Sequence, residues 1–88
     1  MLTIKEVQKI MKSMFYERDY SRGVYATFTW LVEEVGELAD AILNNNRKSI
    51  QEEIADVVAW TLSLANLLDI DVEEAIKEKY YQTRACGT

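Results

Sequence analysis

The chain has 88 residues, 15 acidic against 10 basic, with a formal charge of −5. That length supports one domain with a modest core, and a hydrophobic content of 49% argues against a disordered chain. A net acidic sequence without a basic stripe is a poor partner for nucleic-acid polymers, whose phosphates need clustered Lys and Arg.

Proline is absent, glycine occurs only at 23, 36 and 87, and no window alternates as a strand does. The class expected is all-α, one domain over 1–88. A first helix is predicted over about 3–16, with Ile4, Val7, Ile10, Met11 and Met14 on one stripe. Thr3 and Glu6 have the spacing of a capping box at its start. The polar stretch 17–23 reads as the connection to a second helix over about 23–43. In that helix Leu31, Val35, Leu38 and Ile42 form one seam, and Trp30, Glu34, Glu37 and Ala41 the next. Asn44 to Lys48 read as a turn. Ser49 with Glu52 offers another capping box, placing a third helix over about 50–68.

The third helix is apolar nearly all round, and such a helix is buried. The rest of this short chain is too small to cover it, so a subunit interface is expected. Asp71 with Glu74 is set to cap a fourth helix ending near residue 82. Cys86 is the single cysteine, which excludes an internal disulfide and a Cys-based zinc site. The residues Met1 to Glu6 lack the apolar core of a signal peptide, and Val57 to Leu68 is too short to span a bilayer. A soluble cytoplasmic protein without membrane contact is the expectation.

Two acidic clusters interrupt the apolar helices: Glu33-Glu34-Val35-Gly36-Glu37 and Glu52-Glu53-Ile54-Ala55-Asp56. Glu34/Glu37 and Glu53/Asp56 are spaced by three, so each pair projects from one side of its helix. Antiparallel helices joined by a short turn bring the pairs face to face. Buried carboxylates need a cation, an ion pair or a shifted pKa. Without any histidine, the all-oxygen set suits a hard divalent ion, Mg²⁺ best. The plainer reading is that Glu is a good helix former and Glu pairs sit on solvated faces, which is the expectation for Glu33, Glu52, Glu73 and Glu74. Asp56 fits that reading worst, because Asp is a poor interior helix residue.

The two clusters and their flanks, Trp30-Leu31-Val32, Leu38 to Ile42, Ala55 to Val58 and Ile70 to Ile76, resemble the signature of the MazG-like nucleoside triphosphate pyrophosphohydrolases. The resemblance implies a four-helix bundle completed by oligomerisation, as a dimer or a dimer of dimers. It also implies Mg²⁺-dependent cleavage of nucleoside triphosphates to monophosphate and pyrophosphate, with Mn²⁺ as a substitute ion. Glu34, Glu37, Glu53 and Asp56 would then be the metal ligands, with Glu33 as a fifth catalytic carboxylate that orients or deprotonates water. Lys79 and Arg84 stand where family members carry residues that touch the triphosphate. Equally, they complement the dipole at a helix C-terminus. Trp30 lies one turn before Glu34 and Trp60 one turn after Asp56, so both border the site, as stacking platforms for a base or as packing residues. Two alternatives stay open: a phosphoribosyl-ATP pyrophosphohydrolase, and a helical interaction module without catalysis.

Overall fold

In the computed structural model, which describes residues 1–81, the chain folds into four helices: α1 (Ile4–Arg22), α2 (Val24–Leu43), α3 (Arg47–Leu67) and α4 (Val72–Ile76). A π-helical turn, Lys77–Tyr81, continues α4. The helix α1 starts at the expected capping box. Glu6 N–H donates to Thr3 Oγ1 at 3.0 Å, and Thr3 N–H donates to Glu6 Oε1 at 2.9 Å. It runs six residues past its expected end, through the polar stretch that reads as a linker. Glu and Arg are good helix formers, and Asp19 within this turn is 1% exposed. The whole connection is one residue, Gly23, whose φ of 95° only glycine adopts without strain.

The helices α2 and α3 form an antiparallel hairpin around a turn at Asn44 and Asn45. Asn45 takes the left-handed conformation, φ 53°, which Asn tolerates better than most residues. The third helix begins one turn earlier than the Ser49 and Glu52 spacing implies. Asn46 is its cap, accepting from Ser49 N–H at 3.1 Å, and Arg47 and Lys48 are helical. Asn44 donates to the Asp40 carbonyl at 3.0 Å, so its amide closes α2. Asp71 caps α4 as expected, accepting from Glu74 N–H at 3.1 Å.

A buried amide network fixes the corner between α1, α3 and α4. Gln8 donates through Nε2 to Asn66 Oδ1 (3.0 Å) and to the Ile70 carbonyl (2.7 Å), and its Oε1 accepts from Val72 N–H (3.0 Å). Asn66 Nδ2 donates back to the Gln8 carbonyl at 3.1 Å. Satisfied on every side, Gln8 costs little to bury and sets where α4 starts.

Leu62 and Ala65 on α3 and Ala41 on α2 are the buried apolar residues of the core among those described. On the first half of α3 the pattern is different: Ile54 and Val58, one turn apart, are 49% and 51% exposed. Val58 also edges a shallow apolar groove of about 320 Å³ with Ile4, Val7, Leu62, Val72 and Ile76. No helix among the described residues is long and apolar enough to cross a membrane.

Candidate active site

Because α2 and α3 run antiparallel, residues equidistant from their turn face one another. Trp30 stacks on Trp60, with centroids 6.1 Å apart and planes 14° apart. One to two turns nearer the Asn44 to Asn46 connection, the carboxylates of Glu34, Glu37 and Glu53 converge, each placing one oxygen within 4.8 Å of the other two. Asp56 stands outside that triad and is exposed, close enough for its charge to act on Glu34 and Glu53. Glu33 and Glu52 are exposed neighbours.

The cluster is strained electrostatically. Burial pushes the Glu34 carboxyl above its ordinary range, and the charges of Glu37, Asp56, Glu53 and Glu33 push it further. Burial likewise raises Glu53, with Glu37, Asp56 and Glu52 adding to it and a side-chain hydrogen bond with Glu34 offsetting part of the rise. Glu53 Oε2 is buried with no hydrogen-bond partner among the described residues. An anionic oxygen left so is costly, and a cation removes the cost. Three carboxylates with this separation are an all-oxygen donor set for a hard divalent ion after small side-chain adjustment, since two ligands on one Mg²⁺ lie no more than about 4.2 Å apart. The residues fit such an ion.

A polar cavity of about 250 Å³ opens beside the triad toward the turn, lined by Glu37, Asp40, Ala41, Asn44, Asn46, Ser49 and Glu53. The other side is aromatic and cationic. Arg18 and Arg22, from the stretch that reads as a linker, reach over the tryptophans. The Arg18 Cζ lies 4.3 Å from the Phe15 ring centroid and 5.0 Å from that of Trp60; the Arg22 Cζ is 5.4 Å from both Trp30 and Trp60. Arg18 is neutralised by Asp19 at 2.9 Å. Arg22 has no carboxylate at ion-pair distance among the described residues, and its Nη1 is buried without an acceptor. Neither arginine shows itself as a site residue in the sequence. A spacing signal exists only in retrospect, Arg18 and Arg22 being one helical turn apart.

The structure therefore brings together Glu34, Glu37 and Glu53, sets Asp56 and Glu33 at their edge, and places Trp30 and Trp60 one to two turns away. Lys79 belongs to the turn after α4, where its Nζ lies 5.3 Å from the Tyr80 ring centroid. Arg84 and Cys86 lie outside the described residues.

An all-α hairpin with opposed carboxylates between its long helices, beside a polar cavity, has the make-up of a site for a divalent ion and a polar ligand. Residues 22–84 match the MazG nucleotide pyrophosphohydrolase domain. The chain is also 35% identical over 83 residues, 94% of its own length and 75% of the relative's, to a dATP/dGTP diphosphohydrolase of cyanophage S-2L. It belongs to the MazG family and is a nucleotide pyrophosphohydrolase.

The raised carboxylates make a pH prediction. A carboxyl whose folded pKa exceeds its unfolded value favours the protonated fold. Its stabilising contribution is complete below about pH 4.5, the unfolded value, and is lost as pH rises through the folded value. Metal-free protein is therefore expected to lose stability from this site above about pH 4.5. Mg²⁺ is expected to restore it increasingly over the same range, because only the ionised carboxylates bind. Thermal melts against pH, in EDTA and in Mg²⁺, check both signs.

Proposed function

We propose that the protein is a Mg²⁺-dependent enzyme that hydrolyses purine deoxynucleoside triphosphates between the α and β phosphates, as a cytoplasmic part of nucleotide-pool housecleaning. The purine preference follows the name of the cyanophage relative. The observation that carries the reading is the convergence of Glu34, Glu37 and Glu53 with an orphaned buried oxygen on Glu53.

Glu34, Glu37 and Glu53 would hold the ion, and Asp56 would join them as the side chains tighten. When bound, a hard divalent ion supplies charge neutralisation for the phosphates and acidifies an attacking water. By holding that ion between α2 and α3, the carboxylates would fix where the triphosphate lies, with water in line with the departing oxygen. Glu33, about 100° round the helix from Glu34, orients the water and accepts its proton. The α–β bridging bond breaks, and pyrophosphate leaves with the bond's electron pair.

The working unit in this proposal is a homo-oligomer, a dimer or a dimer of dimers. The exposed apolar residues Ile54 and Val58 on α3 and Val35 and Ile42 on α2 support it, because contiguous apolar faces on monomers are uncommon. A panel of canonical and modified triphosphates, with phosphoribosyl-ATP included, tests the function. Mg²⁺-dependent formation of deoxynucleoside monophosphate and pyrophosphate is expected. Release of orthophosphate, or no release above background, defeats it; preference for phosphoribosyl-ATP replaces the substrate.

A further inference from the structure

The triad has two unlike ends. Toward the hairpin turn the cavity wall carries Asp40, the amides Asn44 and Asn46, and Ser49, with no Lys or Arg among the described residues. Toward the stacked indoles stands Arg22, a guanidinium without a carboxylate partner among the described residues. A triphosphate held at the carboxylates must extend its tail toward one of these ends. Asp40 repels phosphate, while Arg22 offers the fork of donors that phosphate oxygens fit best.

From these two ends we infer that Arg22 binds the β and γ phosphates of the substrate, which orients the nucleoside toward the amide-lined cavity at the α2–α3 turn. This inference rests on the nucleotide-hydrolase reading above. Three further observations support it. Nη1 of Arg22 is a buried donor lacking an acceptor, and a buried donor of that kind calls for a partner that the described chain does not provide. Arg18, one turn earlier, already has Asp19, so the uncompensated charge belongs to Arg22 alone of the pair. Trp30 lies one turn from Glu34, while Glu37 and Glu53 are two turns from Trp30 and Trp60, so Arg22 over both rings stands roughly 5–10 Å along the helix axes beyond the triad. A tail leaving the triad toward the indoles arrives there. The indoles hold the guanidinium in place, and less side-chain entropy is lost when phosphate arrives.

The two tryptophans of the chain both flank Arg22, which makes their fluorescence a direct probe. Inorganic tripolyphosphate has no base to stack. Added to the full chain in saturating Mg²⁺, it is expected to give a saturable fluorescence change beyond that of Mg²⁺ alone. In Arg22→Met, the tripolyphosphate Kd and the KM for the triphosphate are expected to rise about tenfold or more, while inhibition by the deoxynucleoside monophosphate changes less than about threefold. Arg22→Lys keeps the charge without the fork and is expected to fall between.

Equal losses for tripolyphosphate and monophosphate would indicate a merely structural arginine and overturn the inference. A fluorescence response to deoxyadenosine but none to tripolyphosphate would put the base at this end and overturn it too. Should Arg22→Met fail to fold, Arg22→Lys and the wild-type titration decide. If the wild-type chain releases no pyrophosphate from any triphosphate, the hydrolase reading fails separately, and the tripolyphosphate arm still judges Arg22.

Discussion

Glu53→Gln is expected to lower pyrophosphate release by about 10²–10³-fold, because losing a charged ligand removes several kcal/mol of transition-state charge stabilisation. The same substitution is expected to raise the melting temperature of the metal-free protein at pH 7. It removes one of the mutually repelling charges and leaves a neutral amide where Oε2 is buried without a partner. Stability and activity thus move in opposite directions, which separates a ligand from a structural residue. Glu34→Gln should behave alike, and the double variant should lose little beyond either single one, since a shared ion couples them. Glu52→Gln is the control, its side chain lying outside the triad. If Glu52→Gln abolishes turnover and Glu53→Gln does not, the assigned ligands are wrong.

The second large effect concerns assembly. Sedimentation of the wild-type chain at micromolar concentration is expected to show a dimer or larger species, not a 10.2 kDa monomer. Ile54→Lys combined with Val58→Lys places two charges one turn apart on the exposed apolar face of α3. Burying them unpaired costs several kcal/mol, so the assembly should dissociate to monomer and activity should fall with it. Both residues are about half exposed in the single chain, so the fold of the monomer should survive, as its helical circular dichroism would show. A wild-type monomer with full activity refutes the oligomer.

The helical class, the capping box at Thr3 and Glu6, the Asp71 cap and the shared helix face of Glu34 and Glu37 were legible from residue order alone. Each depends on spacings of three or four residues, which a helix turns into neighbours whatever surrounds it. The facing of the two acidic clusters was legible too, because a short polar turn between long helices leaves an antiparallel hairpin as the simple solution.

Other features depended on contacts between residues distant in sequence. Residues 17–22 look like a linker because they are polar, yet Asp19 is buried and Arg18 and Arg22 lie over Trp60. Polarity marks a solvated segment only while no other element covers it, and the cover here comes from α3. The same cause hid the place of Arg22 over both tryptophans, since charge in a sequence carries no direction. At the start of α3, Ser49 and Glu52 match a capping pattern, but Asn46 satisfies the free amide first and the helix begins there. Local spacing determined which residues share a helix face. Tertiary packing decided which of those faces meet, which carboxylate oxygen is left without a partner, and which arginine is left without a counter-charge.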